Sequence, residues 1–259
     1  DLEPGAIIYV DTGRYFHPGT LPVLTSQDSG LPAEPVLIQG STNRMAGGSV
    51  FGGASVLGLG VGFNQASNIV LRDIQVSNVV RGVAITNSAN IRLEGIEVRR
   101  ASDRAFDLQL LARNIELLNC VGHGGGIGAY LQQVTNVIIR NCVFWQNTNN
   151  AVFVGSQVGA LLENSILGST SANMALYSIA PPASGFSANY NGLHAGPDTR
   201  VGVNRSTSAL ADNLAAWQAL SGGLDARSVP GDPRMADPDQ YDYHLKTQET
   251  LGRTLPNGQ

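Results

Sequence analysis

A set of residues in the middle of the chain carries side chains able to move protons, hold charge or stack on a ring: Arg81, Arg100, Asp103, Arg104, Asp107, His123, Tyr130 and Trp145. His123 lies in the glycine-rich run Cys120-Val-Gly-His-Gly-Gly-Gly-Ile-Gly128, and Tyr130 follows closely. An imidazole and a phenol on one surface can act as an acid–base pair. Asp103 and Asp107 are the candidates for paired carboxylates. The guanidinium groups of Arg81, Arg100 and Arg104 can hold anionic oxygens through two parallel hydrogen bonds. The bland alternative is that arginine and aspartate alternate as solvated ion pairs on a surface, where such pairs contribute little. His123 beside three glycines has its own bland reading, a turn residue whose ring bonds to backbone.

What must position these residues is a repeat. Asn68-Ile-Val-Leu-Arg-Asp-Ile returns as Asn90-Ile-Arg-Leu-Glu-Gly-Ile, Asn114-Ile-Glu-Leu-Leu-Asn-Cys and Asn136-Val-Ile-Ile-Arg-Asn-Cys. The three steps between their leading asparagines are short, long and short, the middle one exceeding the others by two positions. A weaker copy, Gly159-Ala-Leu-Leu-Glu-Asn-Ser, begins one step further on. A period in the low twenties built from short alternating strands is the signature of a solenoid. Ile69 and Leu71, then Ile74 and Val76, alternate with polar neighbours, so one face of each strand is buried. The alternation breaks at Asp73, Gly95, Asn119, Asn141 and Asn164, which predicts bends there. A second strand follows in each unit, at Gly82-Val-Ala-Ile, Ala105-Phe-Asp-Leu, Gly128-Ala-Tyr-Leu and Ala151-Val-Phe-Val, and these are equally spaced.

No unit can bury its own apolar face. Stacked coils can, because each strand pairs with its copy about 4.8 Å along the axis. The asparagines then form hydrogen-bonded ladders, and the crossovers are right-handed. The expected fold is all-β: a right-handed parallel β-helix with a short helical C-terminal cap, a single domain over 1–259 with repeats clearest at 68–180 and the cap at about 186–259. Stacking at one uniform repeat predicts outward rows Ala84, Asp107, Tyr130, Phe153; Thr86, Gln109, Gln132, Gly155; and Ser77, Arg100, His123, Gln146, with Arg104 over Arg81. Cys120 and Cys142 stand where other coils have Ile74 and Ile96, and are expected as reduced, buried thiols.

Pro181-Pro182 breaks the pattern. Ser208 to Leu220 is expected as a helix capped by Ser208, with Leu210, Leu214 and Trp217 on one face and Gly222-Gly223 ending it. Net charge is −4 with no basic run, so a nucleic-acid footprint is absent. No stretch approaches the roughly 20 apolar residues of a transmembrane helix. The chain does not begin with Met, which is read as a mature or trimmed form, with further domains of a longer chain left open. No cofactor is expected. A structural or catalytic cation such as calcium is left open, because no run of acidic ligands supports it.

Three stretches together resemble bacterial secreted proteins of the pectin-lyase-like superfamily. They are Leu2-x-Pro-Gly-x-x-Ile-Tyr-Val-x-x-Gly-x-Tyr15, the Asn-Ile-x-Leu coils, and Trp217…Leu224-Asp225…Ser228…Asp232-Pro233…Asp237…Asp242-Tyr243-x-Leu245. The resemblance implies a secreted or extracytoplasmic protein whose partner is a polysaccharide: a polysaccharide lyase or glycoside hydrolase acting on an acidic glycan, or else a non-catalytic module such as an adhesin, surface-layer or spacer domain. On the enzyme reading His123 and Tyr130 transfer protons in a β-elimination, and Asp107 is a further catalytic candidate, alone or paired with Asp103 as in a glycosidase. Arg81, Arg100, Asp103, Arg104 and Trp145 bind substrate, Trp145 by stacking on a sugar ring where its face is exposed. Gly122-His123-Gly124 is similar to a polygalacturonase segment. The chain departs from that family, since Arg104 stands where a second aspartate is required and no Arg-x-Lys follows.

Overall fold

In the computed structural model the described residues are 1–16, 23–43, 46–172, 174–179, 185–238 and 241–245, with the side chains of residues 16 and 53–57 set aside. Pro181, Pro182 and Lys246 lie outside them. The chain winds as a right-handed parallel β-helix. Its first leg is an eight-stranded parallel sheet made of Ile7–Tyr9, Val36–Gln39, Ser67–Arg72, Ala89–Glu94, Arg113–Leu118, Val134–Arg140, Val158–Glu163 and Phe186–Asn189. Every strand pairs with its copy one coil along: Ile69 with Ile91, Ile91 with Ile115, Ile115 with Val137. These residues and the alternate positions Leu71, Leu93, Leu117 and Ile139 are almost wholly buried.

The second and third legs share one larger sheet. The second carries residues 74–77, 97–99, 121–123, 143–145 and 166–169, and the third residues 79–86, 104–109, 127–132 and 150–154. Two left-handed corners define the legs. Asp73, Gly95, Asn119, Asn141 and Asn164 all have φ between 50° and 61°, at the bends the broken alternation predicts. Asn78, Arg100, Gly124 and Gln146, with φ between 53° and 64°, separate the second leg from the third. Asparagine and glycine tolerate this region best, which explains their recurrence. The expected ladder forms at the head of each unit: Asn90, Asn114 and Asn136 each donate Nδ2 to the Oδ1 of the previous asparagine, at 2.9, 2.8 and 2.8 Å.

Ile74, Ile96, Cys120 and Cys142 stack inside as one column, and both cysteines are free. Burial, reinforced by the neighbouring Cys142, pushes the Cys120 thiol well above its ordinary range, so it stays protonated. Further along, the column turns polar. Ser165 Oγ accepts from the Cys142 amide at 3.1 Å, Asn191 Oδ1 accepts from the Ser165 amide at 3.0 Å, and Asn191 Nδ2 donates to Asp225 at 3.0 Å. Asp225 is fully buried and also accepts from Trp217 Nε1 at 3.1 Å and Ser228 Oγ at 2.6 Å. This carboxylate clasps the cap to the last coils, and every bond it accepts offsets the cost of burying its charge.

The cap helix is shorter than expected, Leu214–Ser221, and Asn213 rather than Ser208 caps it by accepting from the Ala216 amide at 2.9 Å. Ser208 is a left-handed turn residue, and Ala209–Ala211 forms an antiparallel strand on Arg200–Asn204. Leu210 is therefore half exposed in that strand, not on the helix face. Trp217 lies flat on Tyr177, with ring centroids 5.0 Å apart, and Gly202 is required beneath it, since a Cβ there would come within 2.1 Å of the indole. Gly222, at φ 75°, ends the helix as the sequence suggests.

Candidate functional site

The third leg carries the row predicted from the repeat. Ala84, Asp107, Tyr130 and Phe153 are register partners on successive coils, and Arg104 pairs with Arg81. The row is closed on itself. Asp107 is 0% exposed. It receives Arg104 at 2.9 Å, Arg81 at 3.3 Å and Gln109 Nε2 at 2.9 and 3.1 Å to its two oxygens. The Arg104 guanidinium lies 3.7 Å above the Tyr130 ring, whose other face stacks on Phe153 at 4.6 Å, and Arg205 covers Phe153 at 4.7 Å. The Tyr130 hydroxyl donates to Gln132. Burial alone would lower the Arg104 pKa, but the hydrogen bond and charge of Asp107, with Asp103 and Tyr130 behind them, raise it. Asp103 sits 3.4 Å from Arg104 Nε and is half exposed. Asp107 thus keeps its outward position in the row but is a filled acceptor covered by two arginines and Gln109, and both faces of Tyr130 are occupied.

The second leg departs from expectation by one residue. His123 pairs with Arg99 and Trp145, not with Arg100 and Gln146. The short, long and short steps between the leading asparagines hold through this leg too, from Ser77 to Arg99, His123 and Trp145, whereas a uniform step slips the row. A slip of one residue moves a side chain to the opposite face or into a turn. Arg100 and Gln146 occupy the left-handed corner instead. The outward row is Ser77, Arg99, His123, Trp145, Gly168, His194. Gly168 leaves a gap that the Trp145 indole fills to stack on His194, at 5.3 Å and 20°. Trp145 is only 5% exposed, so it offers no open face for a sugar.

The C-terminal hairpin, Met235–Asp237 with Asp242–Leu245, brings two tyrosines to this row. Tyr241 lies 3.8 Å under the Arg99 guanidinium and 5.2 Å from the His123 ring, and the Tyr243 hydroxyl hydrogen-bonds His123 Nδ1. Beside them is a pocket of about 460 Å³ lined by Arg14, Gln75, Ser77, Arg99, Arg100 and Tyr241. Arg99 is tied to the buried Glu97 at 2.6 Å. Among the described residues, Arg14 and Arg100 make no ion pair. Three guanidinium groups with at most one carboxylate among them give this cavity an excess of positive charge.

Gly124 takes the left-handed corner, and Gly125 and Gly126 have a packing role. A Cβ at Gly125 would come within 2.3 Å of the Ala101 carbonyl oxygen, and one at Gly126 within 2.4 Å of that of Asp103. Their presence therefore follows from close coil approach, independently of any catalytic motif. Among the described residues no group of three or more His, Cys, Asp or Glu side chains is placed to hold a metal ion.

The model of the family described as "Right handed beta helix region" matches residues 34–170, more than half of the 259. The chain belongs to this right-handed β-helix family. No curated protein matches it. Among solved structures, the β-helix is similar to a GH136 lacto-N-biosidase from Eubacterium ramulus (10% identity, 80% of this chain and 53% of that one, TM-score 0.53). It is also similar to a rhamnogalacturonan lyase (10%, 76% and 67%, TM-score 0.51) and to the A-module of a mannuronan C-5 epimerase from Azotobacter vinelandii (14%, 77% and 65%, TM-score 0.44). The chain thus spans between 53% and 67% of the length of these proteins. At such identities the likeness is one of fold. The pectin-lyase-like expectation agrees with it.

The eight predicted residues therefore fall into two groups. Arg81, Asp103, Arg104, Asp107 and Tyr130 gather on the third leg. His123 and Trp145 belong to the second-leg row, and Arg100 stands at the corner beside the pocket. Sequence reasoning misses Arg14, Arg99, Tyr241 and Tyr243. Arg99 is readable, since counting by the asparagine spacing places it beside His123. Arg14 lies in an opening coil outside the clear repeat, and the tyrosines lie in a non-repeating tail, so no spacing rule reaches them.

Proposed function

We propose that this β-helix is a carbohydrate-active protein that binds an acidic glycan along its second leg. The observation that carries the reading is the pocket holding Arg14, Arg99 and Arg100, with two of the three guanidinium groups left without carboxylate partners among the described residues. A uronate carboxylate fits such a group through bidentate, charge-assisted hydrogen bonds. Gln75 and Ser77 add neutral donors and acceptors for hydroxyl groups, and Tyr241 adds an aromatic wall. Arg99 occupies the register position next to His123, so an imidazole able to transfer protons stands one coil, about 4.8 Å, from a pocket-lining arginine, which supports the reading. Charge neutralisation beside a proton-transfer group is what abstraction of a proton α to a carboxylate requires. The reaction favoured is eliminative cleavage, in an extracytoplasmic setting where such polymers occur.

The test is a panel of uronate polysaccharides. A lyase releases products with a new carbon–carbon double bond, followed by ultraviolet absorbance, and a hydrolase releases reducing ends without it. Binding without either product identifies a non-catalytic module. Neither binding nor cleavage on the whole panel rejects the acidic-glycan reading.

A further inference from the structure

We infer that Tyr243, delivered by the C-terminal hairpin, is the proton-transfer partner of His123, so that the cap completes the site instead of only closing the solenoid. The inference rests on the acidic-glycan reading for its chemistry but on separate geometry for its residues.

The two side chains come from distant parts of the chain, 120 residues apart in sequence, and meet through the Tyr243 hydroxyl and His123 Nδ1. Tyr243 is half buried, its ring set edge-on to the imidazole at 5.7 Å. Tyr241, two residues earlier, forms part of the pocket wall and packs against both Arg99 and His123. One short hairpin therefore contributes both a wall of the anion pocket and a phenol beside the histidine. Tyr130 has no such setting: its ring faces are taken by Arg104 and Phe153, and its hydroxyl by Gln132.

The step balances with these groups alone. Neutral His123 accepts the Tyr243 proton, and the phenolate removes the proton on the carbon bearing the substrate carboxylate. The freed electron pair forms the carbon–carbon double bond as the bond to the glycosidic oxygen breaks. The leaving oxygen takes a proton from the re-formed phenol, and the imidazolium returns its proton to Tyr243. Both residues end as they began, no water is consumed, and the pocket arginines hold the carboxylate as charge spreads onto it.

The decisive variants are Tyr243→Phe and His123→Gln, read in two ways. The first needs no turnover: the ¹⁵N signal of His123 Nδ1 should shift in Tyr243→Phe and stay unchanged in Tyr130→Phe, with His123→Gln identifying the signal by its disappearance. An unmoved signal in Tyr243→Phe overturns the pairing. The second is kinetic. On the uronate polymer that wild-type protein cleaves, Tyr243→Phe and His123→Gln should each lose roughly 100-fold or more in kcat while KM changes little. Full turnover in Tyr243→Phe, or its loss in Tyr130→Phe alone, overturns the assignment. Binding of an acidic oligosaccharide guards against mere loss of the hairpin: it should persist in Tyr243→Phe, and its loss there means that Tyr243 acts as a strut. If the wild type cleaves nothing, the eliminative reading falls and the catalytic role with it, while the nitrogen signal still reports on the pair.

Discussion

The second and third legs of the solenoid use the same residue types to opposite effect. On the third leg, arginine, aspartate and tyrosine stack in register, and each satisfies the next: Asp107 fills two guanidinium groups, Arg104 covers Tyr130, and Phe153 takes the remaining ring face. On the second leg the arginines outnumber the acids, Arg14 and Arg100 line a pocket, and Tyr241 and Tyr243 arrive from the cap. A charged cluster in a stacked fold is thus not a site by virtue of its composition. The stronger candidate is the place where the register leaves charges unmatched beside a cavity.

Removing the acid that closes the third leg should have the largest effect. Asp107→Ala leaves two arginines and Gln109 without their acceptor. Breaking a buried pair costs about 3–5 kcal/mol. Because the Arg81 side chain is 45% exposed, the expected loss is about 2–4 kcal/mol in unfolding free energy. Arg100→Ala, on the open leg, should stay within about 0.5 kcal/mol of wild type. Denaturant midpoints measured on both decide the matter, and equal effects would mean that the legs do not differ as described.

Affinity should show the reverse order. Hydrogen bonds to charged groups contribute about 1.5–3 kcal/mol, so Arg99→Ala or Arg100→Ala should weaken binding of a uronate oligosaccharide roughly 10- to 100-fold. Arg81→Ala should weaken it little. Calorimetric titration of the three variants tests this, and added salt should narrow the gap.

How far the sequence reaches follows from the same contrast. The third-leg row is legible because Ala84, Asp107, Tyr130 and Phe153 are evenly spaced, and the core because strand alternation is strict. The second-leg row is misread by one residue under a uniform step because its own steps are short, long and short, although the spacing of Asn68, Asn90, Asn114 and Asn136 carries that information. The closed state of Asp107 is not legible at all. Register shows which residues are neighbours, not whether their charges cancel. The buried clasp at Asp225 and the reach of Tyr241 and Tyr243 depend on how a non-repeating tail folds back, and no period encodes that. The helix start is misplaced because Ala209–Ala211 finds a strand partner, a tertiary pairing that outweighs helix propensity.

A smaller effect sharpens the second-leg description. Gly168 is the gap in the row His123, Trp145, Gly168, His194, and a Cβ there would lie 2.0 Å from the Trp145 ring. Gly168→Ala must push the indole off His194. Overpacking of this kind costs about 1–3 kcal/mol. The change should appear as a lower melting temperature together with altered tryptophan emission, assigned by comparison with Trp217→Phe. Unchanged emission would show that the stacked row has slack.

The least effect is expected where the hairpin meets solvent. Asp242 sits between the two hairpin tyrosines in sequence and is held by His244, whose ring Nδ1 lies 2.6 Å from Oδ1 and whose amide donates at 3.1 Å. The hydrogen bond from the His244 ring, then that from its backbone, lowers the Asp242 pKa below the ordinary carboxylate value, with burial opposing weakly. A carboxylate whose folded pKa is depressed stabilises the fold above its unfolded pKa, about 3.9 for aspartate, and that contribution is lost as pH falls through the folded value. His244→Ala should therefore move the Asp242 titration upward, followed by its carboxyl carbon signal, and loosen the hairpin only at its tip. The His123–Tyr243 contact should survive in that variant at neutral pH, because the contacts of Tyr241 with Arg99 and His123 also hold the hairpin to the solenoid. Loss of that contact in His244→Ala would show that the second leg is furnished by a surface hydrogen bond, and not by aromatic packing against the solenoid.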